Sequence, residues 1–153
     1  MKITLDYPPV WLALFMVIAW GIAQVHAPLG DALLWPGRAL ILSGLIIMVW
    51  AAMMFRRQRT TIVPHETPSA LVAEGPYRWS RNPIYVADIV ILAGWCMSLG
   101  TPLALITIPP LWWVLHTRFV LPEEARLSAT LGRAYTDYCQ QVPRWMGWPV
   151  PGG

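Results

Sequence analysis

Long stretches without a charged side chain constrain this protein more than any other feature. Pro9 to Val25 and Ala39 to Phe55 contain no Asp, Glu, Lys or Arg, and Ile84 to Gly100 contains only Asp88. A hydrocarbon core about 30 Å thick is crossed by roughly 17 to 25 apolar residues, so each run is long enough to span it. Pro102 to Val120 is apolar as far as His116 and Arg118, and Pro109-Pro110 removes two backbone donors from its middle, which predicts a bend. The reading is an all-α integral membrane bundle, a single domain over residues 1–153, with about four spans at 9–25, 39–55, 84–100 and 102–120. Charged residues make up 12% of the chain, against roughly 25% in soluble domains, which also excludes a disordered chain. Two cysteines cannot make a disulfide framework.

Charge placement predicts an orientation. Arg56, Arg57, Arg59, Arg78 and Arg81 lie between the second and third runs, whereas the first loop holds Arg38 against Asp31. The arginine-rich loop is therefore expected in the cytoplasm, with both termini and the tail's Arg126, Arg133 and Arg144 on the same side. The net charge of +3 is thus a matter of membrane orientation, not of nucleic-acid binding. The first run reads as a retained span, because it is longer than a signal-peptide core and only Lys2 against Asp6 precedes it. Trp20, Trp35, Trp50, Trp79, Trp95, Trp112 and Trp113 sit near run ends, as an interfacial belt requires.

Polar residues concentrate in segments 56–83 and 118–144. In the first, Gly75-Pro76 marks a turn and Pro83 suits the first turn of a helix. Residue by residue, the plainest reading is a basic interfacial loop with aromatic anchors. Together, Tyr77, Arg78, Arg81, Asn82 and Tyr85 against a helix start are more chemistry than anchoring needs, and helix N-terminal amides favour an anionic ligand group. In the second segment, Glu123 and Glu124 follow Pro122 where a helix N-terminus favours acids, and one of them is a candidate to hold a ligand's ammonium. Leu127, Leu131, Tyr135, Tyr138 and Val142 then recur at helical steps, predicting a cytoplasmic C-terminal amphipathic helix over Ala125 to Gln141. His26, His65 and His116 are scattered and Cys96 and Cys139 form no ligand pair, so no metal site is expected.

Two ordered motifs, Leu71 to Tyr85 (LVxxGPYRxxRNPxY) and Glu123 to Tyr138 (EExxLxxxxGxxYxxY), followed by Val142-Pro143-Arg144-Trp145, resemble the integral-membrane isoprenylcysteine carboxyl methyltransferases. More distantly they are similar to the phospholipid N-methyltransferases, and the likeness covers Arg59 to Trp145. The resemblance implies a cytoplasm-facing pocket for S-adenosylmethionine that opens sideways to the bilayer for a lipophilic acceptor. It implies cofactor contacts from Ser69, Ala70, Leu71, Val72, Tyr77, Asn82, Pro83, Ile84, Tyr85 and Glu123, and an acceptor contact from an arginine near the position of Arg118. Asn82 stands where the eukaryotic enzymes have histidine; it keeps a neutral donor and acceptor but does not titrate. Arg78 or Arg81 is a candidate for the cofactor's carboxylate, and Glu124, His65 and His116 are the candidate bases.

The expected activity is carboxyl O-methylation of an isoprenylcysteine-like substrate. The alternatives are N-methylation of a phospholipid headgroup amine and a non-catalytic membrane subunit that binds anionic lipid or a partner. A carboxylate acceptor needs no general base, whereas an amine must first lose a proton. Asp88 stands apart: a carboxylate within a span either pairs with Arg81 or Arg118, reaches the interface, or lines the acceptor's path.

Overall fold

The computed structural model describes residues 6–26, 31–57 and 71–147, and among these every regular element is helical. The α-helices are α1 (Pro8–Gln24), α2 (Leu34–Arg57), α3 (Pro83–Ser98), α4 (Ile108–Leu115), α5 (Leu121–Leu131) and α6 (Arg133–Gln141). Tight 3-10 turns at Asp31–Leu33, Gly75–Arg78 and Pro102–Thr107 lead towards α2, α3 and α4, and a π-helical stretch, His116–Val120, joins α4 to α5.

Prolines mark where helices begin. Pro8 and Pro83 open α1 and α3, where their missing N–H groups would have had no acceptor in any case. The bend expected at Pro109-Pro110 takes a different form for the same reason: the pair lies in the first turn of α4, after a 3-10 turn, so the prolines start an α-helix instead of interrupting one. Two continuous helical runs, Asp31–Arg57 with 27 residues and Pro102–Leu131 with 30, are long and apolar enough to cross a membrane. α1 and α3, with 17 and 16 residues, reach about 25 Å at 1.5 Å per residue, slightly short of a 30 Å core.

A seam of small residues joins α2 to α3. Gly37, Gly44 and Ala51 are buried on α2 at seven-residue intervals, and the two glycines face Ala87, Ile91, Gly94 and Ser98. A Cβ placed on Gly94 would lie 2.5 Å from the Gly37 carbonyl oxygen and 2.8 Å from the Ile41 nitrogen, so the two backbones touch. Gly37 and Gly44 do not form a GxxxG pattern, and the structure uses them within the chain.

α1 packs on the other side of α3 through Phe15 and Ala19, in a cluster with Leu92, Cys96, Leu111, Leu115 and Phe119. Outward, Val17, Leu42, Ile46, Val49, Ile106 and Trp113 are each more than half exposed. Helices that are apolar on both faces are what a lipid-facing surface calls for.

The helix expected over Ala125 to Gln141 is two helices. Gly132 breaks them at φ +54°, a left-handed conformation that side-chain-bearing residues avoid. The break lets Tyr135, Tyr138 and Val142 pack against Leu71 and Leu127, so the apolar stripe docks on the chain itself.

Overpacking the seam is expected to cost about 1–3 kcal/mol. Gly94→Ala should lower the thermal midpoint in detergent by several degrees. Gly21→Ala, whose added Cβ meets nothing within 4 Å, should not; equal midpoints for both variants would contradict this packing.

Candidate active site

The 3-10 turn Gly75–Arg78 and the start of α3 are zipped to the C-terminal segment by backbone hydrogen bonds. The Arg81 amide donates to the Pro143 carbonyl at 3.0 Å, and the Gly147 amide donates to the Trp79 carbonyl at 3.1 Å. The Tyr138 hydroxyl donates to the Tyr77 carbonyl at 2.7 Å. Asn82 caps α3 without a side-chain capping bond. Its Nδ2 donates instead to the Arg144 carbonyl at 3.0 Å, spending the amide on the tail.

At the centre of this junction the Glu124 carboxylate lies between two arginines. Arg81 Nη1 is 3.2 Å from Oε1, while Arg144 donates through Nε at 3.1 and 3.0 Å and through Nη2 at 2.9 Å. The Arg144 guanidinium is held above its usual range chiefly by its hydrogen bond to Glu124. In the sequence Arg144 is an orientation charge and part of the Val142-Pro143-Arg144-Trp145 motif, and neither announces a partner 20 residues away.

Next to this clamp is a cavity of about 360 Å³, within the roughly 300–1,000 Å³ range of small-molecule sites. Its polar wall comprises Tyr77, Arg81, Asn82, Tyr85 and Glu123, and the Tyr85 hydroxyl donates to Glu123 Oε2 at 2.9 Å. Its apolar wall is Tyr7, Pro8 and Pro9 before and at the start of α1, Met48, Ala52 and Phe55 on α2, and Ile84; Asp88 completes it. An adjoining recess of about 30 Å³ holds Leu71 and Val72 beside Tyr77 and Glu123. Burial, reinforced by the Glu123 carboxylate, keeps the Tyr77 hydroxyl well above its usual range. Burial does the same for Tyr138 against the opposing Arg81 charge, so both phenols remain protonated.

Among the residues singled out from sequence, Tyr77, Arg81, Asn82, Ile84, Tyr85 and Glu123 line the main cavity together, and Leu71 and Val72 line the recess. Pro83 is buried at the head of α3. Glu124 is engaged by the two arginines, one position beyond the cavity wall. Arg118 lies elsewhere: it is half exposed, 3.0 Å from Asp6 Oδ2, with its guanidinium over the Trp11 ring. Ser69, Ala70 and His65 fall outside the described residues. The α1 and α2 wall was invisible to sequence reasoning, because an apolar residue facing a cavity has the same signature as one facing lipid.

The sequence profile of the phospholipid methyltransferase family matches residues 32–134, and the chain belongs to that family. It is 28% identical over 109 residues to protein-S-isoprenylcysteine O-methyltransferase B of Arabidopsis thaliana, a match covering 70% of this chain and 55% of that protein. It is 26% identical over 139 residues to a probable protein-S-isoprenylcysteine O-methyltransferase of Oryza sativa subsp. indica, covering 82% of this chain and 72% of the relative. The chain thus spans about half the length of the Arabidopsis relative.

Removing the Glu124 carboxylate leaves two arginines without their shared counter-charge, a loss on the order of 2 kcal/mol for charge-assisted hydrogen bonds. Glu124→Ala should therefore raise hydrogen exchange across Tyr135–Trp145 by roughly 30-fold if the tail opens locally. Unchanged exchange there would show that the clamp does not hold the tail.

Proposed function

We propose that this protein transfers a methyl group from S-adenosylmethionine to a lipophilic acceptor at the cytoplasmic side of a membrane. The cavity's composition carries the reading: an acid, a guanidinium and two phenols meet at one end of a pocket whose remaining wall is almost wholly apolar. A zwitterionic nucleoside cofactor fits such a donor set. Glu123 would hold its ammonium, and Arg81, whose Nε is buried without a partner among the described residues, would hold its carboxylate. Phe55 and Tyr77, in edge-to-face contact with ring centroids 5.4 Å apart, would together give its flat groups one aromatic wall. Tyr85 would fix the position of the bound molecule, Asn82 would line the site while its amide nitrogen holds the tail, and Leu71 and Val72 would close the recess behind it.

The cofactor, when bound, supplies an electrophilic methyl on a sulfonium; the bond to the acceptor forms as the sulfur–methyl bond breaks and its electron pair stays on sulfur. The protein's own contribution is positioning, exclusion of water and fixed dipoles. Glu124 serves in this reading to hold the tail over the pocket, since both its oxygens are already engaged by arginine.

A four-span topology accompanies this reading, with α1 and α3 crossing beside the two longer runs and Arg56, Arg57, Arg78, Arg81 and Arg144 facing the cytoplasm. The apolar surfaces of α1 and α2 support it. The family and the names of the relatives support methyl transfer to a lipid-like acceptor.

Titration of the purified protein with S-adenosylhomocysteine, followed by tryptophan fluorescence, tests the proposal. Binding should saturate, and Tyr77→Ala and Glu123→Ala should each weaken it at least tenfold, about 1.4 kcal/mol. A wild-type protein that binds none would return the chain to the class of non-catalytic membrane subunits.

A further inference from the structure

Asp88 is 1% exposed and belongs to the cavity wall. It sits on α3 three residues beyond Tyr85, about 4.5 Å further along the axis and away from the polar junction. Its Oδ2 is buried with no hydrogen-bond partner among the described residues. The two arginines the sequence offered as partners are engaged elsewhere, Arg81 by Glu124 and Arg118 by Asp6. Met48, Ala52 and Ile84 line the same cavity, together with Tyr85 and Glu123. A carboxylate in apolar surroundings is costly unless something pairs with it, and this one lies where the apolar part of the cavity would receive the acceptor.

We infer that Asp88 is the specificity-determining residue for the acceptor: it pairs with the protonated amine of a lipophilic molecule and excludes acceptors bearing a carboxylate. The inference rests on the methyl-transfer reading above and departs from the carboxyl ester that the resemblance led us to expect. A further buried carboxylate, brought in beside Asp88 by an acceptor, would meet repulsion, whereas an ammonium would supply the missing counter-charge. An amine must also shed a proton before its nitrogen lone pair can attack, and the paired Asp88 carboxylate is the group that receives it.

The test uses the full chain in phosphatidylcholine nanodiscs. Methyl-labelled S-adenosylmethionine is offered with hexadecylamine, with hexadecanoate, or in discs containing phosphatidylethanolamine, and quenching of tryptophan fluorescence by each amphiphile is measured alongside. An amine should take label at least tenfold faster than hexadecanoate and bind at least tenfold more tightly. The two amine arms tell a free lipophilic amine from a lipid headgroup. Asp88→Asn should reduce the amine-to-carboxylate ratio at least tenfold while S-adenosylhomocysteine affinity changes less than twofold, and Asp88→Glu should restore part of the preference.

Preference for hexadecanoate, label in neither amine while S-adenosylhomocysteine binds, or an unchanged ratio in Asp88→Asn each overturns the inference. If Asp88→Asn fails to fold, the wild-type preference and Asp88→Glu decide. Loss of S-adenosylhomocysteine binding in the wild type is the separate failure of the methyl-transfer reading.

Discussion

The grip of Arg81 and Arg144 on the Glu124 carboxylate is the contact on which the rest of the site depends. Arg81 immediately precedes the cap of α3, Glu124 belongs to the first turn of α5, and Arg144 follows α6, so one acid ties together three places distant in the chain. Side-chain exposures of 13% for Arg81 and 11% for Glu124 make that pair a mostly dry interaction, in which charge-assisted hydrogen bonds are stronger than at an open surface, while Arg144, 39% exposed, closes the clamp from the solvent side. Glu123, the neighbour of Glu124, is thereby set against Tyr85 in the cavity wall.

Two kinds of packing position this junction. Along α2 and α3 the backbones meet at glycine, which fixes the height of Tyr85 and Asp88 relative to Met48, Ala52 and Phe55. At the other end the break at Gly132 turns α6 back so that Tyr138 reaches the Tyr77 carbonyl. A straight helix from Ala125 to Gln141 would carry that tyrosine away from the turn. The π-helical stretch between α4 and α5 also lies in the element that delivers Glu123 and Glu124. Such irregularities are frequent at functional sites.

The sequence was most legible where residue chemistry is unusual for its setting. Arginine, asparagine and tyrosine beside an apolar run identified one half of the cavity's polar wall, and a pair of acids at a helix start identified the other. The prolines at 83 and at 109–110 marked helix starts, although the second pair was expected to bend a helix already begun. Legibility failed where the determining contact is distant or apolar. Nothing near Arg144 distinguishes an orientation charge from one half of an ion pair, and Met48 or Ala52 in a cavity wall looks like any span residue. Gly132 looks in the sequence like a tolerated helical glycine, whereas in the structure it has a positive φ and separates α5 from α6.

The central claim is that the turn before α3 and the acidic start of α5 with its tail form one binding unit. Hydrogen exchange of the protein in nanodiscs, measured with and without S-adenosylhomocysteine, tests it directly. Protection should rise together in residues 71–85 and 123–145. Protection confined to one segment, or absent from both while the ligand is bound, would contradict the account.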